Sequence, residues 1–287
     1  MSLNTSPSPL LPLHKVAIVG VGLIGGSLAA AWRAGGFART IVGVETNADA
    51  AQLALQRGLV DEISESVAAD VQLVAICTPS DLVAAHVLAL ADLQIPMFDV
   101  GSVKTPIVEA LLAKGDVPPF FVPSHPVAGS DRSGPESADA QLFAGATTVL
   151  TPLVSTDGHA LQLVELAWQA CGSEVTRLSP QTHDAMLAVT SHLPHLLAYV
   201  FMQQVESDQL AFSGGGFRDF TRIAAANPEL WWRILCMNRQ QVLQAAEQFQ
   251  MNLQALTEAL ADNDDATGLA ALRHAAQLRS QLDEELS

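Results

Sequence analysis

The sequence predicts an α/β protein: a doubly wound parallel sheet followed by an all-helical second domain. Three observations carry this. Short apolar runs alternate with helical stretches up to residue 178. A glycine-rich turn joins the first run to the first helix. From Pro180 onward no convincing strand appears, only helical patterns. The boundary therefore falls near residues 178–180, giving domains 1–178 and 179–287.

Residues 16–20 are the uninterrupted apolar run a buried parallel strand needs. Gly20, Gly22 and Gly25 follow as G-x-G-x-x-G, with Leu23 and Ile24 between them. The first glycine permits the tight turn, and the second lets backbone approach a pyrophosphate. The third lets the helix over 24–34 pack on the strand. A second strand, 41–44, ends in Glu45, 20 residues beyond Gly25, where a carboxylate holds ribose hydroxyls. Strand, glycines, helix, strand and acid together predict a Rossmann site for a dinucleotide. Its phosphates would lie at the helix N-terminus.

Asn47 caps the next helix, which runs to 57 and ends at Gly58. Residues 71–77 form a third strand, after which Thr78 and Pro79 shape a loop against the cofactor, and a helix runs to 90. A fourth strand, 96–100, leads through Ser102 into another helix. A fifth, 120–122, runs into His125. Strands 147–150 and 174–178 flank a helix over 158–171. Ligands bind at the carboxyl ends of such strands, so chemistry is expected after strands three, four and five.

In the second domain, 180–203 reads as one long helix interrupted at Pro194, and 213–216 as a glycine-rich turn. Asn227-Pro228 caps and opens a helix to 261. Leu269, Leu272, Leu278, Leu282 and Leu286 give the last helix one apolar face. So short a helical domain is expected to complete its core as a homodimer.

Composition excludes other classes. A net charge of −16 argues against nucleic acid and anionic membrane as partners. Three widely spaced cysteines, Cys77, Cys171 and Cys236, fit reduced thiols in a cytoplasmic protein. Residues 1–13 read as a loose tail without signal-peptide features. The uncharged run 16–32 carries the glycine motif and reads as buried core, not as a membrane span.

Several polar residues are candidates for chemistry. Ser102 either caps the following helix or serves the site; Thr105-Pro106 already offers a cap. His125 stands on the ligand edge, and its ordinary pKa of about 6.5 suits a proton acceptor. No partners at metal-ligand spacing accompany it, so no metal is expected. Ser191 and His195 share one helix face, and Pro194 frees the carbonyl of Thr190. His183 lies about half a helical circumference from His192, so the two are not expected in one pocket. Arg218, Arg222, Arg233 and Arg239 are four of only 14 basic residues. A guanidinium is the natural partner of an anionic substrate. For Arg233 and Arg239 surface pairing with Asp219 or Glu229 is the expectation.

The motifs VGVGLIGGSLA (19–29), DVGSVK (99–104), SHPVAGS (124–130), TSHLPH (190–195) and GGGFRDFTRIA (214–224) together resemble the prephenate dehydrogenase family, which includes arogenate and cyclohexadienyl dehydrogenases of tyrosine biosynthesis. The resemblance implies NAD-dependent oxidative decarboxylation of a cyclohexadienol dicarboxylate. It implies that His125 accepts the hydrogen bond of the C4 hydroxyl while Ser102 bridges nicotinamide, His125 and substrate. Arg222 would hold a substrate carboxylate, with Ser191 and His195 assisting. Trp231 would reach across a dimer into the partner's pocket. Two departures stand out. Residues 15–287 leave no room for a fused mutase or regulatory domain, so regulation by one is not expected. Ser130-Asp131 replaces the family's usual Thr or Ser followed by Glu, which puts a gating role for that acid in question. Rival readings are a 3-hydroxyacid dehydrogenase or imine reductase, which use a lysine that 180–203 lacks, and a non-enzymatic NAD sensor, which leaves His125, His195 and Arg222 unexplained.

Overall fold

The computed structural model describes residues 11–129 and 132–285, so most of the N-terminal tail and Ser130-Asp131 lie outside the described residues. It divides into two compact units, 1–238 and 239–287.

In the first unit β1 (Leu13–Val19) turns through the glycines into α1 (Leu23–Ala34), and β2 (Ala38–Val44) leads to α2 (Ala48–Gln56). The Asn47 side chain caps α2 by accepting from the N–H groups of Asp49 and Ala50. A short strand not expected from the sequence, β3 (Glu62–Ser64), pairs with β2. Three residues without an alternating apolar pattern leave little periodicity to read. Then come β4 (Val74–Ile76), α3 (Ser80–Leu90), β5 (Met97–Asp99), α4 (Thr105–Leu112) and β6 (Phe121–Val122). The sheet order is β3-β2-β1-β4-β5-β6, all parallel, so strand order reverses on either side of β1 and the switch point lies between β1 and β4. That switch point is where the crevice of a doubly wound sheet opens.

Alternate residues of β1 feed two separate cores. Val16 and Ile18 join Trp32, Phe98 and Trp168 on one face. Ala17 and Val19 join Val83, Ile107 and Phe121 on the other. Phe98 lies edge-on to both Trp32 and Trp168, with centroids 6.2 and 5.4 Å away.

Pro123 lacks an N–H, and the parallel ladder stops there. The chain passes into β7 (Ser124–Pro126), which pairs antiparallel with β8 (Thr147–Leu150). After α5 (Gly158–Gln169), β9 (Glu174–Arg177) pairs parallel with β8. The two later strands, expected in the main sheet, thus belong to a second three-stranded sheet that carries His125.

The expected single helix over 180–203 is α6 (Pro180–Leu187), a π turn (Ala188–His192) and α7 (Leu193–Met202). Pro194 cannot donate to the Thr190 carbonyl, and Thr190 Oγ1 bonds back to the Met186 carbonyl at 2.9 Å; both favour a widened turn. By length and composition Pro180–Met202 could cross a membrane. It is broken by the π turn, and it carries the buried polar residues His183, Asp184 and His192. Gly215 and Gly216, expected in a turn, open α8 (Gly215–Thr221). Asn227 caps α9 (Pro228–Met237), and this helix stops at Asn238 instead of running to 261. Asn238 is buried and donates to the Asp184 carbonyl at 2.8 Å, a demand that a continuous helix would not meet.

The second unit is two helices, α10 (Arg239–Ala261) and α11 (Asp265–Glu285). Leu269, Leu272 and Leu278 of the expected apolar face are exposed; the Leu282 side chain and Leu286 lie outside the described residues.

Candidate active site

The glycine turn meets its geometric demands. Gly20 has φ +90°, and a Cβ there would stand 2.9 Å from the Cys77 carbonyl oxygen. A Cβ on Gly25 would lie 2.1 Å from the Gly20 oxygen, so only glycine lets α1 start this close to β1. Gly22, in contrast, has open space within 4 Å where a Cβ would be, and caps α1 without a side-chain bond. Glu45 accepts the Val21 N–H at 2.9 Å and the Asn47 N–H at 2.9 Å, tying the end of β2 to this turn.

Beside the turn lies a cleft of about 630 Å³, within the usual range of ligand pockets. Its walls bring together Gly22, Leu23, Ile24, Thr78, Pro79, Ser102, His125, Ser191, His195, Arg222 and Trp231. Gly20, Gly25 and Glu45 shape the turn from behind and are not in the wall. A dinucleotide fits these residues. The Thr78 Oγ1 is buried without a partner, and the start of α1 presents N–H groups beside an open Gly22.

Ser102 does not cap α4, and neither does the Thr105 side chain. The buried Asp184 carboxylate from α6 accepts the N–H groups of Lys104 and Thr105, both at 2.8 Å. Ser102 is therefore free to line the cleft. Beneath it Lys104 and Asp99 form a fully buried ion pair, and Lys104 Nζ also donates to the Ser124 carbonyl at 2.6 Å. Burial pulls the Lys104 proton affinity down against the pull of Asp99. The pair fastens the end of β5 to the strand that carries His125.

His125 is buried in the cleft wall, with Nδ1 2.8 Å from Nε2 of His183. His183 in turn meets Asp184 Oδ1 through Nδ1 at 2.7 Å. Neither His183 nor His192 lines the cleft, but His183 stands directly behind His125. The π turn adds about one residue per turn, which brings His192 from about 180° to about 80° of His183. Both histidines now act on His125. Burial, then His183, Lys104 and His192, push its pKa well below 6.5, which favours the neutral ring. Burial likewise brings His192 down to about 4. Asp184 feels burial in the opposite sense, but bonds from His183, Thr105 and Lys104 outweigh it and hold its carboxyl below the ordinary range.

Across the cleft, His195 Nδ1 donates to the Ser191 carbonyl at 2.9 Å, which leaves Nε2 as an acceptor. The His195 ring stacks on Trp231, with centroids 3.3 Å apart and planes 15° apart. Trp231 thus lines the cleft of its own chain. Arg222 lies exposed at the cleft rim and, with burial as the larger cause, lowers the pKa of His195. Among the described residues it forms no ion pair with Asp219. Arg233 reaches Asp81 at 3.7 Å, not the expected Asp219 or Glu229.

A glycine-turn nucleotide edge facing a pocket with a neutral histidine and a guanidinium defines a nucleotide-dependent dehydrogenase. The comparisons narrow the class. The nucleotide-binding domain model of prephenate dehydrogenase matches residues 28–177, and its dimerization domain model matches 179–274. The cyclohexadienyl dehydrogenase of Zymomonas mobilis is 33% identical over 264 residues, 87% of this chain and 89% of that protein. The prephenate dehydrogenase of Aquifex aeolicus, solved with hydroxyphenyl propionate and NAD+, is 31% identical with a TM-score of 0.88, covering 96% of this chain and 100% of that one. An arogenate dehydrogenase from Synechocystis is 27% identical with a TM-score of 0.78, covering 93% of this chain and 99% of that one. The chain belongs to the prephenate dehydrogenase family.

Proposed function

We propose that the protein catalyses NAD-dependent oxidative decarboxylation of prephenate to 4-hydroxyphenylpyruvate, a step of tyrosine biosynthesis. The observation that carries this is the meeting of the glycine-turn edge, neutral His125 and cationic Arg222 in one cleft. NAD, when bound, supplies the hydride acceptor. His125 takes the hydrogen bond and then the proton of the C4 hydroxyl, for which its low proton affinity keeps it unprotonated at neutral pH. Ser102, which lines the same cleft, orients that hydroxyl. Arg222 anchors a substrate carboxylate, and His195, Ser191 and Trp231 enclose the ring. Loss of the ring carboxylate as CO2 follows from aromatisation. Residues 1–178 would bind NAD, residues 179–287 substrate and a second subunit, and the protein would work as a cytoplasmic homodimer.

Prephenate and L-arogenate differ only in a keto or amino group on the side chain. Absorbance at 340 nm with both substrates tests the reading. It predicts NADH formation with prephenate at higher kcat/KM than with L-arogenate. A preference for L-arogenate would reassign the substrate, and no NADH from either would refute the reaction.

A further inference from the structure

Behind His125, on the side away from the cleft, stands a short buried chain of polar groups. Asp184 accepts three hydrogen bonds at once: Lys104 N–H and Thr105 N–H, both at 2.8 Å, and His183 Nδ1 at 2.7 Å. A carboxyl group with three donors around it is ionised and can only accept. His183 must therefore carry its hydrogen on Nδ1. In the neutral ring Nε2 is then a bare lone pair, and the group 2.8 Å away from it is His125 Nδ1. Two lone pairs cannot face each other at that distance, so His125 Nδ1 bears a hydrogen. The remaining ring nitrogen, Nε2, is then the only basic atom of His125.

We propose that His183, fixed by Asp184, is the positioning residue that locks His125 in its Nδ1–H tautomer and steadies the imidazolium formed when Nε2 accepts the substrate proton. No proton need leave His125 for this: one N–H bond forms at Nε2, and the existing Nδ1–H donates more strongly to His183. The arrangement rests on the reading of His125 as the base. It explains why one buried carboxylate serves both as the cap of α4 and as the orienter of a histidine. The same side chain sets the helix that carries the DVGSVK motif and the tautomer of the ring beside it. His183 is fully buried and does not line the cleft, so it acts through His125 and not on substrate.

The test begins with histidine labelled with 15N in the wild-type protein without substrate, the His125 signals being assigned by their loss in His125→Asn. At neutral pH the proposal expects a proton on Nδ1 and none on Nε2 of His125; a proton on Nε2 overturns it. In steady state, His183→Phe removes the acceptor and should lower kcat about 100-fold while KM for prephenate and NAD moves less than about threefold. His183→Gln, whose amide oxygen can accept, should recover at least about tenfold of that loss. Unchanged kcat in a folded His183→Phe protein, or kcat and both KM values falling away together without rescue by Gln, overturns the proposal. If His183→Phe does not fold, the wild-type tautomer decides alone. Because the spectroscopic arm uses no substrate, an Nδ1–H tautomer in a protein inactive on prephenate would leave the positioning intact and refute only the reaction.

Discussion

Glu45 Oε2 accepts the Val21 N–H at 2.9 Å, so the acid at the end of β2 is fixed against the turn that would receive the cofactor. A 2′-phosphate would meet this carboxylate. Arg57, a cation close enough in sequence to compensate, is committed elsewhere: its guanidinium donates to the carbonyls of Pro135 and Ala138. NAD should therefore be preferred over NADP by at least about tenfold in kcat/KM, since one uncompensated charge contact is worth roughly 1.4 kcal/mol. Equal efficiency with both cofactors would contradict this.

His125 sits below the ordinary histidine range because burial, His183, Lys104 and His192 all disfavour its proton. Its neutral form is the active one, so activity is lost when it protonates. The acid limb of kcat/KM should lie below pH 6.5, with a plateau through neutrality; a limb at or above 6.5 would assign the base elsewhere. His125→Asn should reduce turnover by about 10² to 10⁴, with a smaller change in substrate affinity. Near-normal turnover would move the role to His195.

Buried neutral histidines also set an acid limit on stability. The unfolded chain takes up a proton at His192 near 6.5, whereas the folded site resists until about 4. Stability is thus complete above the upper value and falls as pH drops toward the lower, by roughly 3 kcal/mol from this residue. His125 adds in the same direction. Denaturant midpoints should decline from pH 7 to 4.5, and less steeply in His192→Asn. Equal slopes in the two proteins would exclude His192 as the cause.

At the rim, Arg222 is exposed and not paired with Asp219, so its charge is available to substrate. Arg222→Gln should raise KM for prephenate by roughly thirtyfold, matching about 2 kcal/mol for a hydrogen bond to a charged partner. NAD affinity should stay within a few-fold. An unchanged KM in a folded variant would remove Arg222 as the anchor.

Much of this site is written locally. Gly20 and Gly25 declare a turn because sterics at those two positions admit nothing larger, and a buried strand reads as an apolar run. Ser102 and His125 follow strand ends, Ser191 and His195 share a helix face, and Arg222 stands out as a cation in an acidic chain, all features visible in one dimension. What eluded the sequence depends on partners distant along the chain. Asp184 caps α4 from 79 residues away, a bond no local pattern can announce. His183 meets His125 from 58 residues along the chain, a contact that counting helical turns cannot show. Pro194 gave the warning of irregularity without its direction. The second sheet escaped because Pro123 marks an end of pairing but does not say where the strand goes next.

The central claim is the reaction itself, and its stoichiometry tests it most directly. Prephenate labelled with 13C in the ring carboxylate, incubated with the protein and NAD, should release one labelled CO2 for each NADH formed and each 4-hydroxyphenylpyruvate produced. NADH without labelled CO2, or labelled CO2 without NADH beyond the rate of a protein-free control, would contradict oxidative decarboxylation at this site.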